Sequence, residues 1–143
     1  MSAKDLIQTF LRTMEARDLD TAESMMAENA VIIFPGGKRF SSQREMVEAA
    51  KGRYQSVKKI FDDIEHFTRD DGTEVVYIRG TLYGVNNHGV AFENIRYIDR
   101  FVISEGKIIE QHVWNDLAES AVLERKSSDY SDSEATTSES SQD

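Results

Sequence analysis

A chain of 143 residues has the length of about one domain, and a unit near this size buries roughly 65–70% of its unfolded surface, enough for one core and one modest cavity. Its formal net charge of −9 argues against nucleic acid and against anionic membranes, because both need a basic face. With no cysteine, disulfides, zinc–thiolate sites and thiol catalysis are excluded, and a reducing compartment fits. The opening Met1-Ser2-Ala3-Lys4-Asp5 leads into an amphipathic pattern without a signal peptide or a run near the ~20 apolar residues of a membrane helix, so a cytoplasmic protein is expected.

Leu6, Ile7, Phe10, Leu11 and Met14 recur at helical spacing and predict a first helix with one apolar stripe, capped by Ser2. A second, short helix follows Arg17-Asp18-Leu19, with Asp20 and Glu23 at capping-box spacing. The β-branched run 30–34, stopped by Pro35-Gly36-Gly37, reads as strand then turn. Ser42 and Glu45 form another capping box and open a third helix reaching about Tyr54. Three long strands follow, over about 59–68, 74–85 and 90–104. Their turns are Asp70-Asp71-Gly72 and Asn86-Asn87-His88-Gly89, both with good hairpin chemistry. Glu105-Gly106 turns into a last strand over 107–114, and Asp116 caps a closing helix from 117 to about 124. Early helices followed by a strand meander give an α+β arrangement, with helices covering one face of an antiparallel sheet.

Composition shifts sharply after Arg125. Residues 1–125 are read as the domain. Residues 126–143 are read as an acidic, Ser-rich tail that buries too little to offset its ordering entropy and is expected to be disordered. Ser131-Asp132-Ser133-Glu134 suits acidophilic kinases, although a solubilising tail explains the same composition.

Arg17-Asp18-Leu19-Asp20 and Met26-Ala27-Glu28-Asn29-Ala30-Val31 resemble the helix–loop–helix–strand opening of the nuclear-transport-factor-2-like superfamily, which includes SnoaL-like and ketosteroid-isomerase-like proteins. Tyr97-Ile98-Asp99-Arg100-Phe101, followed by Gly106-Lys107-Ile108-Ile109-Glu110, resembles its closing hairpin. The resemblance covers about residues 3–122. It implies a conical curved sheet wrapped by N-terminal helices around an apolar pocket. It also implies a range of roles, from steroid isomerases, polyketide cyclases, epoxide hydrolases and dehydratases to binding and dimerisation modules.

Isomerases of this type need a carboxylate base and donors aimed at an oxyanion, a Tyr and a protonated Asp in the system that defines the chemistry. The resemblance places the Asp donor on Asp99, the Tyr donor on Phe10 and the base on Phe34. Phenylalanine can neither donate nor take a proton, so that isomerase mechanism is not expected. The carboxylate that cyclases and epoxide hydrolases keep on the last strand falls on Val113, unless a one-residue slip turns His112 or Trp114 inward.

Strand alternation sets Asp99 on one face with Glu93, Ile95, Tyr97, Phe101 and Ile103. Apolar company raises a carboxyl pKa, so Asp99 is read as an acid or oxyanion donor, or else as a carboxylate bonded to a structural neighbour. Glu93 is a second candidate acid or an exposed strand-start residue, and Arg79 is a partner for either acid or part of a solvated sheet face. The expected pocket lining is Phe10, Met14, Met26, Phe34, Tyr54, Tyr97, Phe101, Gln111 and Val113, which suits polycyclic or lipid-like ligands. His66, His88 and His112 do not form a zinc set, and there is no phosphate loop, so neither metal nor cofactor is expected.

The sequence therefore points to a pocket protein for a hydrophobic small molecule. An isomerase, cyclase or dehydratase acting on a carbonyl compound stands beside a non-catalytic binder and a protein-interaction module. A homodimer is expected under each.

Overall fold

The computed structural model describes residues 1–127; the expected tail therefore lies almost wholly outside the described residues. Helix α1 (Ala3–Glu15) starts in a full capping box: the Ser2 hydroxyl accepts from the Asp5 amide, and the Asp5 carboxylate accepts from the Ser2 amide, which satisfies two donors that the helix itself leaves orphaned. Its buried stripe is Ile7, Phe10, Leu11 and Met14. Helix α2 (Leu19–Ser24) is capped by Asp18, whose side chain accepts from the Thr21 amide. The expected cap, Asp20, pairs with Arg44 on the surface. Glu23 accepts from the amides of Gln43 (2.8 Å) and Arg44 (3.3 Å), the first residues of α3 (Gln43–Ala50). The acids of α2 thus serve the start of α3. Helix α3 ends before Gly52, one turn earlier than expected, and Tyr54 opens a strand instead.

Six strands follow the order β2-β1-β6-β5-β4-β3 in one sheet: β1 (Met26–Phe34), β2 (Lys38–Phe40), β3 (Tyr54–Thr68), β4 (Glu74–Asn86), β5 (Ala91–Ser104) and β6 (Lys107–Asn115). The last four form the expected antiparallel meander. The β1–β6 pair is parallel, unlike the all-antiparallel expectation, because β1 joins the sheet through a long crossover and not through a hairpin. Strand β2 is three residues long with two cations, too short and polar to carry a strand signal.

Curvature comes from bulges set against glycines. Strand β3 carries one extra residue between Tyr54 and Ser56 and another between Phe61 and Asp63. Opposite these lie Gly84 and Gly80, where an added Cβ would collide with the carbonyl oxygens of Ser56 and Ile60 respectively. The absent side chains let β3 fold tightly over β4, and bulges add twist and bend. The result is an open, curved sheet with α1 across its concave face.

Phe10 and Phe101 meet edge to face at 5.8 Å in the main core, with Ile7, Ile78, Ile103 and Ile108. A second cluster joins Leu82, Phe92, Ile95 and Tyr97 to the closing segment, Leu117 and Val122. That segment is a helical turn, α4 (Leu117–Ser120), then a 3-10 turn (Val122–Glu124), separated by Ala121 at φ 60°, not one continuous helix. Asp116 makes no cap there; Asn115 accepts from the Leu117 amide instead, and Asp116 pairs with Arg96 at 2.7 Å. Buried Asn86 locks the segment down. Its amide donates to the carbonyls of Val122 (2.9 Å) and Arg125 (2.8 Å), while its carbonyl accepts from the amides of His88 and Val90.

Candidate functional site

Ile95, Tyr97, Asp99, Phe101 and Ile103 alternate along β5 and are all buried on its inner face. Asp99 has no exposed surface. Its cross-strand partners are Ile78 on β4 and Val113 on β6, and both of its carboxyl oxygens lack a hydrogen bond. Burial among these groups pushes its pKa up to about 6, against the lowering pull of Lys59.

Lys59 is the ionic neighbour of Asp99 that sequence reasoning missed. Its Nζ lies 3.6 Å from Asp99 Oδ2 and 5.0 Å from the centre of the Tyr97 ring. Its side chain is about one-fifth exposed. The signal was present in Val57, Lys59 and Phe61, a period of two that puts the lysine on an apolar face. The backbone of Lys59 is clamped to α1. Its amide donates to Glu15 Oε2 (2.7 Å), its carbonyl accepts from Arg12 Nη1 (3.0 Å), and Arg12 pairs with Glu15 at 2.9 Å. Tyr97 donates weakly to the Ile60 carbonyl at 3.4 Å. Its phenol pKa is raised, first by burial and then by the Asp99 charge.

Val113 and Gln111 point inward on β6, while His112 and Trp114 stack on the outer side with ring centroids 3.8 Å apart. The inward position of the last strand is therefore apolar at Val113. Gln111 is buried and accepts from Gln43 Nε2 (2.7 Å), which also contacts Met26 Sδ (3.3 Å), while Gln43 Oε1 has no partner.

An open cavity of about 480 Å³ lies between α3, the start of β3 and the Pro35–Gly36 turn, walled by Phe34, Phe40, Met46, Arg53 and Tyr54. Phe34 packs edge to face on Phe40 at 5.7 Å. It follows the Ile33–His112 pair and so stands level with Val113, two strands from Asp99, about 10 Å at ordinary strand spacing. Of the expected lining, Phe34 and Tyr54 face this cavity. Phe10, Met14, Met26 and Phe101 do not line it; they fill the core beneath α1.

Two expected site residues lie elsewhere. Arg79 is exposed and pairs with Asp63 at 3.1 Å, not with either acid, because the odd-numbered face of β4 turns outward. Glu93 is exposed because β5 is bulged. Phe92 pairs with Gly84 and Ile95 with Leu82, so Glu93 and Asn94, the latter at φ 63°, oppose a single residue and the alternation slips by one. Exposed His88 sits in its hairpin turn, and His66 pairs with Glu74 at 2.8 Å.

A family model described as the SnoaL-like domain matches residues 7–111. The chain belongs to the SnoaL-like family. Comparison with curated proteins gives no match. Among solved structures, a nuclear-transport-factor-2-like protein of unknown function from Burkholderia pseudomallei K96243 aligns with TM-score 0.71 and 14% identity, over 86% of this chain and 98% of its own. TerC, co-crystallised with polyporic acid, aligns with TM-score 0.68 and 15% identity, over 85% and 97%. A candidate polyketide cyclase from Xanthomonas campestris pv. campestris aligns with TM-score 0.62 and 18% identity, over 82% and 93%. At these identities the likeness is one of fold, and this SnoaL-like chain has the nuclear-transport-factor-2-like architecture. Among the described residues no helix is long and apolar enough to cross a membrane.

Proposed function

We propose that this SnoaL-like domain binds a hydrophobic carbonyl compound within its curved sheet and acts on it as an isomerase, cyclase or dehydratase, with Asp99 as the acid or oxyanion donor. The observation that carries this reading is the Asp99 carboxyl, fully buried with neither oxygen hydrogen-bonded and with Lys59 as its ion-pair partner at 3.6 Å. Buried polar atoms are normally hydrogen-bonded, and an exception in a native interior asks for an explanation. A carboxyl titrating near 6 spends part of its time protonated close to neutral pH, and a protonated Asp donates to a carbonyl oxygen. The small-molecule ligand of TerC and the candidate cyclase among the structural neighbours support the substrate class.

A second reading, a binder without chemistry, is favoured by Val113 and Phe34. Both stand where the family resemblance places carboxylates, and neither can move a proton. Under either reading the outer sheet face, with Ile98, exposed Trp114 and exposed Tyr83, supports a homodimer.

The test is product analysis of the purified chain with steroid, terpenoid and aromatic polyketide carbonyl compounds. Conversion that falls by about a hundredfold or more in Asp99→Leu, the scale of a lost acid, supports the first reading. Undiminished conversion in Asp99→Leu removes Asp99 from the chemistry. Saturable binding with the ligand recovered unchanged supports the second.

A further inference from the structure

The cavity between α3 and the Pro35–Gly36 turn is apolar within and cationic at its mouth. Met46 is buried, Phe34, Phe40 and Tyr54 are half-buried, and Lys38 and Arg53, which line the same cavity, are exposed. Neither cation has an ion pair or a side-chain hydrogen bond among the described residues. Arg79, Arg96 and Arg100, by contrast, each pair with an acid. The whole chain is acidic, with 26 acidic against 17 basic residues, yet no acidic side chain lines this cavity.

The two acids of α3, the helix that walls the cavity, are engaged elsewhere. Glu45 accepts from the amide (2.6 Å) and the hydroxyl (3.0 Å) of Ser41, and Glu48 pairs with Lys51 at 3.3 Å. Tyr54 adds a further polar group. Its hydroxyl makes no hydrogen bond among the described residues. Burial raises its pKa against the lowering pull of Arg17 and Arg53, so at neutral pH it is an uncharged O–H donor.

At about 480 Å³ the cavity has the size of a small-molecule site, and Phe34 and Phe40, edge to face at 5.7 Å, give it an aromatic wall. Two unpaired cations and a free O–H donor beside that wall match the two oxygens of a carboxylate. A carboxylate only accepts hydrogen bonds, and an arginine fork can hold both of its oxygens. We propose that this cavity is a subsite for a hydrophobic carboxylic acid bound as its anion. The apolar body lies against Phe34, Phe40 and Met46, and the carboxylate is held by Arg53 and Lys38 at the mouth. This rests on the reading of the fold as a site for a hydrophobic small molecule and adds to it the charge of the ligand and the residues that read it.

The test is a fluorescence titration of the full chain with anthracene-2-carboxylate and with its uncharged amide, two fluorescent probes of nearly equal shape. The carboxylate is expected to bind at least about tenfold more tightly, the scale of one charge-assisted contact. The double variant Lys38→Met/Arg53→Met is expected to abolish that preference. Arg39→Met, which removes a neighbouring exposed cation that does not line the cavity, is expected to keep it, and so separates a subsite from the general field of the surface. All three side chains are exposed, and circular dichroism verifies folding. The comparison of the two probes in the unmutated chain stands whether or not the double variant folds. Equal affinity for the two probes, a preference that survives in the folded double variant, or one lost equally in Arg39→Met, overturns the carboxylate subsite and leaves the ligand-site reading standing. Binding of neither probe overturns the subsite and counts against the ligand-site reading as well.

Discussion

Lys59 Nζ stands 3.6 Å from Asp99 Oδ2, although the two residues belong to strands that are not neighbours; β4 runs between them. The sheet brings them together because β3 folds back over β4 at its two bulges. A lysine at a position that reads as an edge strand thereby becomes the counter-ion of the buried acid.

Burial of that acid has a consequence for stability. The folded pKa of Asp99 is raised from 3.8 to about 6. Between those values the folded state holds a proton that the unfolded state has lost. Stability from this group is therefore full below 3.8 and is lost as pH rises towards 6, by about 3 kcal/mol in all. Urea unfolding of the wild type and Asp99→Asn from pH 3.5 to 7.5, taken as about those limits, is expected to show Asn gaining on Asp by that amount across the window. A difference that does not change with pH contradicts the burial of Asp99. The Lys59 left unpaired in the variant shifts the whole difference without tilting it.

Gly80 carries the curvature. Its missing Cβ is occupied by the Ile60 carbonyl, so Gly80→Ala forces β3 away from β4. We expect a loss of about 2–3 kcal/mol, as for overpacked cores, and a weaker Lys59–Asp99 contact. Gly52→Ala, whose methyl meets the Ala49 carbonyl oxygen at 3.7 Å, is the near-neutral control. Equal midpoints for the two variants in thermal unfolding are incompatible with this role.

Asn86 makes four hydrogen bonds from a fully buried side chain. Asn86→Ala is expected to cost about 2–4 kcal/mol, since it strands two carbonyls and two amides. Limited proteolysis should then cut near Val122 and Arg125 first. Unchanged cleavage there would mean that the closing segment is held by Leu117 and Val122 packing alone.

Phe101 is fully buried against Phe10, and Phe101→Ala should cost about 3–5 kcal/mol. Arg79→Ala, which removes an exposed pair with Asp63, should cost less than about 1 kcal/mol. A large effect of Arg79→Ala on ligand binding would return it to the site from which its orientation removes it.

Much of this was legible in the residues. The stripe of α1, the capping of α1 and α3, the two hairpins and the inward row of Tyr97, Asp99 and Phe101 follow from periodicity and turn chemistry, while the register of the last strand, open between Val113 and His112 or Trp114, needed the structure, which buries Val113. What escaped has separate causes. A bulge breaks the period of two on which strand reading rests, and Asn94 thereby hides the outward turn of Glu93. Val57, Lys59 and Phe61 keep that period unbroken, but a lysine among them reads as part of a solvated edge. Arg79 was misplaced by a different route: its face of β4 is lined by Tyr77 and Thr81, which read equally well as pocket or surface. Phe10 and Met14 were assigned to a cavity because aromatic and Met side chains serve core and pocket alike.

The most direct test of the central claim, that the curved sheet takes a hydrophobic small molecule, is a thermal-shift screen of the wild type and Ala49→Trp. The panel holds steroids, terpenoids, aromatic polyketides and naphthoquinones. Ala49 borders the cavity of Phe34 and Tyr54 and is itself exposed, so the indole blocks the opening at little cost to folding. A ligand at about a hundred times its dissociation constant adds about 2.7 kcal/mol. The account predicts a raised midpoint for at least one compound class in the wild type and none in Ala49→Trp. A flat response across the panel, or the same shift in both proteins, would contradict it.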